Sequence, residues 1–223
     1  ELMKNGILAN INQAIDFEDV SDQGFSRATA AALVPAGNYS FAAWIKPESF
    51  GSNALFAVTQ SPFTDHYGFT FFAGVSSVGS TQINISINGT TIVGQDSDVD
   101  LVAGEWALVG FTRNATTGDT KLYIFSSLNQ GQSGATLSTA AGNIDSHASH
   151  NVYVGRDRLG GQRFDGFIDA MYSVTAEWTS ADFAKIYQGG LGSPVHENLQ
   201  APLQAFKIGQ RDNAGILSGL VLS

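Results

Sequence analysis

The sequence predicts an all-β protein, a two-sheet antiparallel sandwich with one short helix near its C-terminal end. Three observations lead there. Strand-like runs with period-two alternation recur along the chain, and Gly, Asn, Asp and Ser punctuate them at the spacing of turns. Apolar residues make up 43% and charged residues only 14%, the reverse of the balance that keeps a chain disordered. Fifteen Phe, six Tyr and three Trp favour pleated, half-buried surfaces. A chain of 223 residues suits a single sandwich of this class.

The strands follow in order. Tyr39 to Lys46 alternates, with Phe41, Ala43 and Ile45 on one face, Ala42 and Trp44 on the other, and Pro47 as the stop. Ala54 to Thr59 and Tyr67 to Ala73 are rich in aromatic and β-branched residues. Gln82 to Val93 reads as a hairpin. Ile83, Ile85 and Ile87 point one way, Asn84, Ser86 and Asn88 the other, and Asn88-Gly89 returns the chain through Thr91, Ile92 and Val93. Glu105 to Arg113 and Thr120 to Ser126 form a second hairpin around Thr116-Thr117-Gly118-Asp119. Asn151 to Gly155 and Phe164 to Val174 complete the run.

One helix breaks this pattern. Thr179 caps it, with Asp182 three residues on, Phe183, Ile186 and Tyr187 share a face, and Gly189-Gly190 ends it. Its expected place is over an open end of the sandwich. Residues 1–13 read as an N-terminal arm and 14–192 as the sandwich domain. Residues 193–223 read as a C-terminal extension that supplies an extra strand or an assembly arm.

A net charge of −9 argues against nucleic-acid partners, which need a basic face. There is no cysteine, so disulfides and thiolate metal sites are excluded. No apolar run is long enough for membrane insertion as a helix, and no secretory leader is visible. Asp96, Asp98 and Asp100 do not open an EF-hand loop, because Leu101 and Ala107 stand where that loop needs Gly and Glu. His147 and His150 lack a third ligand for zinc.

Six pieces recur in a recognisable order: Ala14-Ile15-Asp16-Phe17, then Tyr39 to Pro47, Gly104-Glu105-Trp106-Ala107-Leu108-Val109, Tyr153-Val154-Gly155, Phe164-Asp165-Gly166-Phe167-Ile168-Asp169, and the Ser180 to Tyr187 helix. Over roughly residues 14 to 190 the chain resembles the laminin-G-like, concanavalin A-like jelly-roll superfamily. It looks like the bacterial or phage branch, since the disulfide of animal modules is missing and Ala170-Met171-Tyr172 replaces the usual acidic and basic residues after Ile168-Asp169. The resemblance implies a jelly roll and, in some members, glycan cleavage by paired carboxylates on one strand. Tyr67 to Ala73 and Gln82 to Asn88 carry no Asp or Glu, so a binding scaffold rather than an enzyme is expected.

The resemblance also implies one structural Ca2+, with Asp169 as a ligand and Glu18 or Asp16 as a second. The alternative is that Asp169 bonds backbone amides in a turn or bulge. For glycan binding, the polar row Asn84, Ser86, Asn88 and Thr90 beside Tyr67, Phe69 and Phe71 supplies amides, hydroxyls and rings. Arg156, Arg158 and Arg163 form a basic loop suited to an anionic glycan, or else to local ion pairs. The expected function is a non-catalytic carbohydrate-binding or adhesion module of a surface, secreted or virion protein. The alternative is a structural virion component that packs on neighbouring subunits or on copies of itself through residues 193–223.

Overall fold

A computed structural model describes residues 14–18, 24–27, 36–50, 54–60, 68–73, 83–87, 90–92, 101–138, 141–144, 150–156, 161–189, 204–207 and 221–222. In chain order the strands are β1 (Ile15–Phe17), β2 (Phe25–Arg27), β3 (Tyr39–Pro47), β4 (Ala54–Gln60), β5 (Gly68–Ala73), β6 (Ile83–Ile87) and β7 (Thr90–Ile92). There follow β8 (Ala107–Arg113), β9 (Asp119–Phe125), β10 (Gln130–Ser138), β11 (His150–Val154), β12 (Gly166–Val174), the helix α1 (Ser180–Gly189), β13 (Gln204–Lys207) and β14 (Val221–Leu222).

Two antiparallel sheets result, as the alternation predicts. The larger runs β10-β9-β8-β3-β12-β13-β14, with β1 also on β12. The smaller runs β2-β11-β4-β5-β6-β7. Because β3 takes one side of β12, the two terminal strands share the other: Ile15 to Phe17 lie opposite Ile168 to Gly166, and Gln204 to Phe206 opposite Ser173 to Met171. Residues 204–207 and 221–222 of the C-terminal extension thus join the sheet of their own chain.

Side-chain alternation explains the core. Phe41, Ala43 and Ile45 of β3 face inward with Val109, Phe111, Leu122 and Ile124. The smaller sheet answers with Phe56, Phe69, Phe71, Ile83, Ile85, Ile87, Val152 and Val154. Phe41 stacks on Phe56 across the sandwich at 4.7 Å, and Phe69 meets Phe111 edge-on at 5.2 Å. Each such ring contributes roughly 1.5–3 kcal/mol on burial.

The opposite face of β3 is also buried, and here one expectation is corrected. Helix α1 does not close an end of the sandwich; it lies over the outer face of the larger sheet. Ala42, Trp44, Leu108, Tyr123, Phe125, Tyr172 and Val174 pack against Trp178, Phe183 and Ile186, with Tyr123 and Phe183 stacked at 4.3 Å. The cause is legible in β3, whose apolar residues on both faces require a cover on both. Gly110 lets the helix approach, since a Cβ there would sit 2.5 Å from the Phe183 ring. The cap forms as expected: Thr179 N–H and Oγ–H donate to Asp182 Oδ2 at 2.9 and 2.8 Å.

Strand β12 carries a bulge that the sequence did not announce. Asp169 pairs with Trp44 and Met171 with Ala43, leaving Ala170 as the extra residue at φ 23°. The insertion resets the alternation, so that Ile168 and Met171 both reach the core. Strands β2 and β10 were also not expected. β10 is built of Gln, Gly, Ser, Ala, Thr and Leu, without the aromatic pattern that marks a strand, and it forms as the partner of β9.

Candidate functional site

Three places hold the residues that the sequence nominated. The first is the outer face of the smaller sheet. Ile83, Ile85 and Ile87 are buried in the core, so Asn84 and Ser86 occupy the outward positions of β6. Register then carries one row across all six strands: Ser26, Tyr153, Ala57, Thr70, Ser86 and Thr91 are successive cross-strand partners. Asn84 pairs with Phe72, and Asn151 with Thr59, on the same face. Asn151 Nδ2 donates to the Tyr153 hydroxyl at 3.2 Å; the Tyr153 ring and Ala57 beside it in the row are buried. Tyr67 and Asn88 lie outside the described residues, and Phe69 and Phe71, expected beside the polar row, face the core instead because alternation along β5 sends both rings inward. Tyr153 and Thr70 were not singled out from the sequence, because only the register shows that they share a face with Ser86.

The second place is the end of the larger sheet. In β1, Phe17 enters the core while Asp16 and Glu18 fall on the other face. β3 ends at Pro47, and the next residue, Glu48, donates its N–H to Asp165 O at 2.9 Å. This brings carboxylate oxygens of Asp16, Glu18 and Glu48 within 4.8 Å of one another. Gly166 makes the approach feasible: at φ 132° it sits where a Cβ would sit 2.9 Å from Glu48 N. Glu48 was missed because the motif that places it belongs to β12 rather than to its own strand.

Asp169 is not one of these three. It stands on the outer face opposite Trp44 and accepts the N–H of Ala170 at 2.7 Å, the bulge-bonding role weighed as the alternative for it. Burial pushes its carboxyl above the usual carboxylate range, and the Ala170 bond pulls only partly back.

The third place is the basic loop. Arg156 and Arg163 form a bridge across its neck, with Phe164 N–H donating to Gly155 O at 2.9 Å. The Arg156 stem lies against the Gly24 backbone, where an added Cβ would sit 2.5 Å from Cδ. Arg156 and Arg163 are half-buried, and Arg158 lies outside the described residues. The pinched neck thus lays the Arg156 stem against Gly24 of the sandwich.

Hard carboxylate oxygens at this separation are the donor set that calcium takes, with backbone carbonyls and water completing its shell. Asp16 and Glu18 therefore fit such an ion together with Glu48, whereas Asp169 lies outside the group. Among the described residues no helix is long and apolar enough to cross a membrane.

A two-sheet antiparallel sandwich with a helix laid on its larger sheet is the architecture of a jelly roll. The sequence profile of the laminin-G branch matches residues 21–182, and the chain belongs to the concanavalin A-like lectin/glucanases superfamily. Comparison with curated protein sequences gives no match. Among solved structures, a putative carbohydrate binding protein from Bacteroides ovatus superposes with a TM-score of 0.61 at 15% identity, covering 94% of this chain and 59% of that one. A heptameric SAP-like pentraxin from Limulus polyphemus gives 0.57 at 15% identity, covering 94% and 93%. The CBM40 of the Ruminococcus gnavus IT-sialidase, bound to α2,3 sialyllactose, gives 0.55 at 14% identity, covering 78% and 96%. At these identities the likeness is one of fold.

Proposed function

We propose that this chain is a non-catalytic carbohydrate-binding module whose outer face on the smaller sheet is the glycan platform. The observation that carries this reading is the single register row of outward positions across six strands, in which the hydroxyl-bearing residues Ser26, Tyr153, Thr70, Ser86 and Thr91 follow one another with Ala57 between Tyr153 and Thr70. Hydroxyls and amides at such positions exchange hydrogen bonds with sugar hydroxyls. The solved structures of like fold described as carbohydrate-binding support the reading. So does the acid content of β5 and β6, which is nil. One Ca2+ on Asp16, Glu18 and Glu48 would clip β1 to the end of β3, stabilising the edge of the larger sheet. The fitting context is a surface, secreted or virion protein that attaches to a glycan-bearing surface.

A glycan array followed by calorimetry, with and without calcium, tests both parts. Binding without release of sugar is expected, lost on replacing Asn84 and Ser86 by Ala. Calcium should raise the melting temperature of the native chain and leave that of Glu18→Gln/Glu48→Gln unchanged. A blank array refutes the glycan reading, and a calcium-independent melting temperature refutes the ion.

A further inference from the structure

One row on the outer face of the larger sheet lies beyond the helix. Asp16 is the cross-strand partner of Phe167, and Phe167 that of Lys46. Trp106 immediately precedes β8, whose first residue Ala107 pairs with Ile45, next to Lys46. Four neighbouring segments therefore present an acid, a ring, a cation and a ring in line. Asp16 is exposed; Phe167, Lys46 and Trp106 are half-buried. The two rings lie 6.4 Å apart and tilted by 53°, and Lys46 Nζ stands 5.5 Å from the centre of the Phe167 ring. One row further in, Trp44 is covered by Tyr187 of α1, stacked on it at 5.5 Å, so the helix stops short of this row.

We propose that this row binds a neutral saccharide, whose apolar C–H surface rests on Phe167 and Trp106 while its hydroxyls donate to Asp16 and accept from Lys46. The charges select the occupant. A protein partner would have to strip water from an ammonium and a carboxylate at the middle of its contact, where interfaces are depleted of charge. Sugar hydroxyls satisfy both groups at once, because each can donate and accept. In the calcium-free protein an anionic sugar would meet Asp16, Glu18 and Glu48 together, in a chain of net charge −9. The row lies on the opposite outer face of the sandwich from the platform proposed above, and it stands whether or not that platform binds glycan.

The three tryptophans give three indole N–H signals, which makes the test direct. The full chain, labelled with 15N at Trp, is titrated in calcium-free buffer with cellotriose, maltotriose, mannotriose and arabinotriose, and with sialyllactose as the anionic comparison. At least one neutral trisaccharide should move the Trp106 signal while Trp178, buried beneath α1, stays in place. Phe167→Ala should weaken that response about tenfold, the loss of roughly 1.4 kcal/mol expected of one ring contact. Asn84→Ala/Ser86→Ala should leave it intact, which separates this row from the smaller sheet. The proposal is overturned if none of the neutral sugars moves Trp106, or if sialyllactose moves it more than all of them. It is equally overturned if dilution alone moves it, which would mark the row as an interface between copies.

Discussion

Replacing Gly155 by Ala probes the joint between the sandwich core and the acidic group. Gly155 follows β11 at φ 72°, a left-handed conformation that costs a residue with a Cβ about 1–2 kcal/mol. An added Cβ would also overlap the ring of Phe17, which is fully buried and packs edge-on against Phe25 at 5.8 Å. The backbone has no room to swing aside. Gly155 N–H donates to Leu55 O, and Gly155 O accepts from Phe164 N–H, both at 2.9 Å. Phe17 must move instead, at about 1–3 kcal/mol for an overpacked site. The sum is about 2–5 kcal/mol, and at about 2–4 °C per kcal/mol the melting temperature should fall by roughly 4–20 °C. Because Phe17 stands between Asp16 and Glu18, the calcium stabilisation proposed for that group should shrink as well. Urea and thermal unfolding measure the first effect, and calcium titration the second. Gly161→Ala is the control, since nothing lies within 4 Å of a Cβ there. A Gly155→Ala protein within about 1 kcal/mol of the native one would refute the packing argument.

Two further substitutions test single residues. Asp169 has its folded pKa raised by burial, so its contribution is favourable below the unfolded carboxylate range of about 4 and is lost as pH rises through the folded value. Asp169→Asn keeps an acceptor for the Ala170 N–H and should therefore stabilise the protein at neutral pH, with the gain fading in acid. Urea unfolding across pH decides it, and destabilisation at neutral pH contradicts the assignment. Ser40, fully buried, donates from Oγ to Ala176 O at 2.6 Å and accepts the Trp178 N–H at 2.8 Å. Ser40→Ala should cost about 1–3 kcal/mol for each backbone group left unpaired, and a loss well below that range would show that the turn before α1 finds other partners.

The legibility of the fold in the sequence follows from where its information is local. Period-two alternation in Tyr39–Pro47 and Ile83–Ile87 names a strand and its inward face without any partner. Thr179 and Asp182 mark the helix start in the same way. β10 was missed because its polar, glycine-containing sequence becomes a strand only beside β9, and β2 because three residues show no period. The candidate sites are less local still. Ser86 falls in one row with Thr70 and Tyr153 only through three strand registers, and Glu48 reaches Asp16 only because β1 and β3 both end opposite Gly166. Asp169 shows how a local bond can stand where a motif suggests a ligand. Its motif position suggested a metal ligand, but the Ala170 bulge turns its carboxylate to its own backbone.

The larger sheet also shows how one local signal sets a distant surface. Its outer face is apolar from Val174 and Ala42 through Leu108 and Trp44, and that stretch is covered by Trp178, just before α1, and by Phe183, Ile186 and Tyr187 of the helix. Ten helical residues span about 15 Å, roughly three strand spacings, and Gly189 ends the helix after Tyr187 has stacked on Trp44. The Trp44 row already carries Asp169, and the next row outward interleaves charge with rings throughout, in Asp16, Phe167, Lys46 and Trp106. A face meant for continued packing would carry aliphatic residues there, as Leu108 and Ala42 do one and two rows inward. Charged groups interleaved with rings instead tolerate water and retain an apolar surface, which is the chemistry of a reversible ligand contact rather than of a core. The helix stop and the amphipathic row are thus two parts of one boundary, between what the fold must bury and what it leaves available to bind.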